Sequence, residues 1–282
     1  MITALMESPR RVEGQRVTGR DYVSWSAINT YRQCSLRYYF KYIEGLPEET
    51  VSSSLVFGAA IHACFEHHFN ELMAGSSSPG LDDLLEAFWG AWRDRNEEAE
   101  IVFAKNEDLE AVRKLALRVL SAFKQSDLAN PLGTIIGIEE ELRGALLPGV
   151  PDLLARVDLL TETSDSLIVT DFKTAKSRWS THQAEDAGEQ LLLYSELAKE
   201  LAPGKRLRLA FAVITKTTKP VAERCPVSID ADRLTRTRRI VERVWKAIEA
   251  GHFFPSPSPI ACGSCPYRAP CRRWSAIEPM NR

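Results

Sequence analysis

The chain has 282 residues, of which 44% are hydrophobic and 26% charged, and a formal net charge of −2. That length admits one large domain or two small ones, the composition is ordinary globular material, and no apolar run reaches membrane-spanning length. A near-neutral total argues weakly against nucleic-acid binding, because a polyanion is held by a local basic stripe and not by the sum. Residues 1–15 lack the continuous apolar stretch of a signal peptide, so a cytoplasmic protein is expected. In such a reducing compartment the six cysteines fit metal ligands better than a disulfide scaffold.

Residues 1–20 are polar, basic and aperiodic and are read as a tail, as are residues 275–282. Ser24 or Ser26 can cap a helix that runs to about Glu44 and stops at Gly45-Leu46-Pro47. A second helix, about Leu55 to Met73, ends in the loop Gly75 to Gly80, and helical periodicity returns near 81–99 and 106–126. The texture then changes: 134–143, 152–161 and 166–173 are short, rich in β-formers and separated by turn residues, which predicts three strands. A helix from His182 to Leu201, strands near 207–215 and 221–228, and a basic amphipathic helix from Asp230 to Ala250 follow. The run Pro255 to Pro259 reads as a stiff linker into the last cysteines. The order helix, three strands, helix, strand predicts an α/β fold with a mixed sheet flanked by helices. A single domain over 21–274 is expected, with a helical insertion at about 76–130 and a C-terminal segment at about 252–274.

Residues two apart on a strand share a face, so Asp171 and Lys173 project together while Phe172 points away. A carboxylate and an ammonium at the end of an otherwise apolar strand are costly unless something uses them. A divalent cation on Asp171, with Lys173 orienting or activating a water, is such a use. Asp158 lies on the preceding strand, and a tight turn around Glu162–Asp165 would set it beside Asp171, giving two carboxylates for Mg²⁺ or Mn²⁺. His62 shares a helix face with Glu66, which could orient its imidazole. Gln190 and Tyr194 form an i, i+4 pair on the helix after the Asp171 strand.

Cys262, Cys265 and Cys271 are spaced C-x2-C-x5-C, and Cys34 stands more than two hundred residues away. Four thiolates would staple both ends of the chain to the core, and spacing alone leaves zinc and an iron–sulfur cluster both open. Cys64 and Cys225 stand outside the pattern, and Cys64 reads as a core residue. Basic runs lie near these motifs, among them Arg236, Arg239 and Arg243 on the amphipathic helix.

Taken in order, these motifs resemble the PD-(D/E)xK nuclease superfamily, in its RecB/AddB/Cas4-like branch, which carries a 4Fe–4S cluster. The likeness covers roughly Ser24 to Cys271: Ser24 to Cys34 for the first cluster cysteine, Gly58-Ala-Ala-Ile-His62, Asp158, Asp171-Phe172-Lys173, Gln190-Leu-Leu-Leu-Tyr194 and the three late cysteines. It departs at Ser35, where the family often has proline, and at Ala155, where glycine is usual. The resemblance implies a restriction-endonuclease-like core and a nuclease acting on DNA ends or single strands. It implies His62, Asp158 and Asp171 as ligands of Mg²⁺ or Mn²⁺ with the Phe172 carbonyl, and Lys173 as a catalytic residue. One acid of Glu139, Glu140 and Glu141 should join the site, and Glu139 is chosen; Asp152 is set aside in favour of Asp158. Cys34, Cys262, Cys265 and Cys271 become cluster ligands, and a helicase or another recombination or defence protein becomes a partner. A non-catalytic DNA-binding or assembly subunit, and a nuclease acting on RNA, are the competing readings.

Overall fold

Three long strands dominate the middle of the chain: Thr134–Gly144 (β4), Asp152–Glu162 (β5) and Ser166–Ala175 (β6). They form where their β-rich runs predict them, joined between β5 and β6 by a short turn in which the Thr163 N–H donates to the Ser166 carbonyl at 2.8 Å. The structure is a computed structural model describing residues 18–274. Most of both expected tails lies outside these residues. Thr18 is nonetheless buried, and Arg20 lies over the Tyr42 ring, so order begins before residue 21.

Arg206–Thr215 (β7) runs parallel to β6, and Ala222–Val227 (β8) is antiparallel to β7. Along one edge of β5 runs β4; the other edge is shared. Tyr22–Ser24 (β1) pairs in parallel with residues 152–154, and β6 pairs with 159–162. A gap is left on that edge between β1 and β6, and it determines where the site lies.

Helices cover both faces of this mixed sheet. On one side pack Ser53–Met73 (α3), Leu81–Glu98 (α4) and Leu109–Lys124 (α5), closing a core with Phe172 against Phe65, Phe69 and Phe123. On the other pack Trp25–Gln33 (α1), Glu189–Ala198 (α7) and Ala231–Glu249 (α8), around Val157, Val169, Phe211 and Trp245. Asp108 caps α5 by accepting from the Ala111 N–H, which sets its start later than the pattern alone suggests. No described helix is long and apolar enough to cross a membrane.

Three expectations need correction. The helix expected from Ser24 or Ser26 to Glu44 is broken at Cys34, whose extended backbone (φ −162°, ψ 108°) separates α1 from Ser35–Tyr38 (α2) and a π-helical turn, Tyr39–Ile43. Tertiary bonds impose that break: Ser35 Oγ donates to the Phe254 carbonyl and accepts from the Phe254 N–H. The helix expected over 182–201 divides at Gly188 into Thr181–Ala187 (α6) and α7. A Cβ on Gly188 would stand 2.6 Å from Val227 Cγ1, so close approach to β8 requires glycine there. The strand Thr50–Ser52 (β2) and its parallel partner Glu100–Val102 (β3) had no forerunner in the pattern, and neither had β1. Pro259–Gly263 (α9) and Arg268–Arg273 (α10) close the described chain.

Candidate active site

The β5–β6 ladder ends at Leu159 paired with Thr170, and beyond that pair the two strands part. Phe172 thereby loses a strand partner on that side, and its N–H donates instead to Asp158 Oδ2 at 2.6 Å. The fork so formed presents Asp158 from one arm and Asp171 and Lys173 from the other. The antiparallel turn brings these residues together as their spacing implies.

His62 reaches the fork from α3. Its Nδ1 lies 3.5 Å from Asp158 Oδ2 and 3.9 Å from Glu139 Oε1. Among the described residues, His62, Glu139 and Asp158 are the one trio of potential ligands whose donor atoms all lie within 4.8 Å of one another. An imidazole nitrogen and two carboxylate oxygens form a donor set that a hard or borderline divalent cation fits. Glu66, expected to orient His62, is replaced in that part by acids from two neighbouring strands.

Of the three consecutive glutamates, Glu139 enters the site. It stands opposite Asp158 in the β4–β5 ladder, and its φ of 49° lies in the left-handed region, sparsely populated by non-glycine residues. Asp171 is nearly inaccessible, with Oδ1 accepting from Gln190 Nε2 at 2.9 Å. Lys173 Nζ is 2.5 Å from Asp171 Oδ2, an ion contact outside hydrogen-bond geometry that leaves Oδ2 without a donor. Gln190 Nε2 also reaches the Tyr194 hydroxyl at 3.1 Å, so the i, i+4 pair on α7 buttresses Asp171. Asp152 sits at the far end of β5, paired with Arg143 at 3.0 Å and ~20 Å from Asp158 at strand rise.

The electrostatics follow from burying acids together. Burial first, and the Asp171 charge second, push the Asp158 carboxyl up to about 7. Burial pulls the Lys173 amine down, but Asp171 and Asp158 outweigh it and raise it above the usual range. Lys173 is therefore a fixed ammonium in the metal-free protein. His62 is raised too: desolvation opposes this, and the neighbouring Glu139, Asp158 and Asp171 carboxylates prevail. For Glu139 burial acts upward, while His62 and Arg156 together bring it below the ordinary carboxylate range. Arg156, which the motif reading passed over, forms an ion pair through Nε with Glu139 Oε2 at 2.7 Å. Its signal was available: on β5 it alternates onto the same face as Asp158.

At the other end of the domain, Cys34 stands at the helix break, Cys262 on α9 and Cys271 on α10, with Cys265 between. All four are free thiols. Burial raises the Cys271 thiol, and Cys34, Cys265 and Cys262 add to the rise. Cys34, Cys265 and Cys271 pack on a small core of Leu36, Phe40 and Tyr267, and the Ser258 N–H points at Cys262 Sγ from 3.4 Å. Cys64 is fully buried, its thiol pushed up to about 12 by desolvation, as a core residue should be. Cys225 is buried on β8.

Comparison with known proteins gives the family and a likeness of fold. The family model for the PD-(D/E)XK nuclease superfamily matches residues 22–272. A crystal structure of a "Putative exonuclease" from Eubacterium rectale superposes with a TM-score of 0.57, covering 99% of this chain and 97% of that one at 15% identity, a likeness of fold. A second solved structure, of SSO0001, covers 79% of this chain and 86% of its own at 16% identity; its TM-score of 0.34 carries no argument. No curated protein matches the chain in sequence.

Proposed function

The chain belongs to the PD-(D/E)XK nuclease superfamily, and from that membership and the site geometry we propose that it is a divalent-metal-dependent deoxyribonuclease, an exonuclease acting on DNA ends or single strands. The observation that carries this is the convergence of His62, Glu139 and Asp158 beside the Asp171–Lys173 pair. His62, Asp158, Asp171 and the Phe172 carbonyl, joined by Glu139, would hold Mg²⁺ or Mn²⁺. When bound, the ion supplies Lewis acidity to the phosphate and to an attacking water. Lys173 positions that water and sets a positive charge where negative charge develops in the transition state. Its raised pKa suits charge stabilisation better than proton abstraction. Gln190 holds Asp171 and is itself braced by Tyr194.

We assign the four thiols Cys34, Cys262, Cys265 and Cys271 to a 4Fe–4S cluster that clamps the two ends of the domain. Exposed Arg236, Arg239 and Arg243 on α8 are spaced to form one stripe, suited to following a phosphate backbone. A helicase or another recombination or defence protein is the expected partner.

The test is digestion of end-labelled single-stranded, duplex and circular DNA, and of single-stranded RNA, with Mg²⁺, Mn²⁺ or EDTA. Metal-dependent loss of linear DNA with circles spared supports the reading. Cleavage of RNA alone, or of nothing, overturns it.

A further inference from the structure

We infer that Arg156 is a substrate-phosphate residue, held ready at the rim of the site by Glu139. The inference rests on the nuclease reading above and assigns a specific residue to hold the DNA backbone.

The ladder register sets Glu141 directly opposite Arg156. Directly opposed opposite charges are the ordinary cross-strand pair, and an arginine serving only the sheet would use that partner. The guanidinium leans instead along the diagonal to Glu139, toward the fork. It does so through Nε, which leaves the two terminal guanidinium nitrogens, the pair that grips a phosphate end-on. Accessibility agrees. The Arg156 side chain is 60% exposed, whereas the Glu139 it touches is 14% exposed and Asp158 is 13%.

The charge pattern calls for such a residue. Glu139, Asp158 and Asp171 together repel a polyanion. Lys173 is committed to Asp171 at 2.5 Å and is 35% exposed. Arg156 is the more open of the two cations touching the acidic group. Glu139 divides its carboxylate between the two functions: Oε2 fixes Arg156, and Oε1 faces His62. A phosphate drawn in by Arg156 is thereby delivered two residues along β5 from Asp158, on the same strand face.

The experiment compares wild type, Arg156→Gln and Arg156→Lys in three measurements: anisotropy binding of a 5′-labelled single-stranded oligonucleotide in Ca²⁺, steady-state cleavage in Mg²⁺, and calorimetric Mn²⁺ binding without DNA. Arg156→Gln should weaken DNA binding and raise KM by roughly tenfold, the size expected for a lost charged hydrogen bond. Arg156→Lys should recover part of that loss, and Mn²⁺ affinity should change by less than about threefold. Unchanged Kd and KM in Arg156→Gln would sink the inference. So would a parallel loss of Mn²⁺ affinity and kcat at constant KM, which would make Arg156 only a support for Glu139. If the wild type cleaves no DNA in either metal, the nuclease reading falls with it; wild-type cleavage with an unaltered Arg156→Gln enzyme removes this inference alone.

Discussion

Asp158→Asn should stabilise the metal-free protein at alkaline pH while abolishing its response to metal. The carboxyl is raised from an ordinary value near 3.8 to about 7, first by burial and then by Asp171. Because the folded value lies above the unfolded one, folding disfavours the ionised form. The penalty is absent below the unfolded value, grows between the two, and is complete once pH exceeds about 7. Its ceiling is about 4 kcal/mol, a figure that already includes the opposing pull of His62 and Lys173 on the same anion. Asparagine keeps an oxygen for the Phe172 N–H, so the hydrogen bond at the fork survives. Urea unfolding of EDTA-treated protein at pH 5 and pH 8 measures the effect. Asp158→Asn should exceed wild type by about 1–3 kcal/mol at pH 8 and by less at pH 5. Saturating Mn²⁺ should then reverse the order, adding about 3 kcal/mol to wild type at a hundredfold excess over Kd. An Asp158→Asn variant less stable than wild type at pH 8 in EDTA would refute the burial argument.

Three other outcomes are expected. Lys173→Ala and Asp171→Ala should each lose cleavage by at least about a hundredfold in the end-labelled DNA assay, with circular dichroism unchanged; Asp152→Ala, at the far end of β5, should retain activity within a few-fold. Anaerobically purified protein should be brown, with broad absorption near roughly 400 nm and about four irons per chain; Cys→Ala at 34, 262, 265 or 271 should discharge the iron and lower the melting temperature, whereas Cys64→Ala and Cys225→Ala should keep it, and a colourless protein with one zinc would replace the cluster assignment. Replacing Arg236, Arg239 and Arg243 together by glutamine should weaken single-strand binding and flatten its salt dependence by about two in the log–log slope; an unchanged slope would remove α8 from the DNA path.

Much of this architecture was legible because periodicity reports it. The strands β4, β5 and β6 bury side chains in patterns long enough to read, and they were placed to within two residues. By contrast β1, β2 and β3 have three residues each, too few to show a period, and their partners lie tens of residues away. The break at Cys34 was invisible for the same reason: the bonds that Ser35 makes beside it go to Phe254, far away in the chain. In the site, alternation limits the glutamates facing Asp158 to Glu139 and Glu141. The unusual backbone at Glu139 and the diagonal reach of Arg156 distinguish them, and neither is written in residue spacing. Glu66 shows the opposite error, a local helical partner preferred over acids supplied by distant strands.

The exchange of hydrogen bonds between Ser35 and Phe254 spans 219 residues, and that separation imposes an order of events. Closing so long a loop from an unfolded chain costs about 5 kcal/mol in entropy before any constant, whereas two hydrogen bonds return about 1 kcal/mol each. The Tyr38 and Tyr39 rings on Phe253 add to the closure, but it becomes favourable only after the sheet has drawn both ends to the same side. On the ribosome, Ser35 emerges long before Phe254. Until the last turns follow, Leu36 and Phe40 lack Tyr267, the aromatic cover they have in the finished fold. The waiting time of that uncovered patch, and so the nascent chain's exposure to aggregation or chaperones, is set by how quickly the residues between Phe40 and Tyr267 are made.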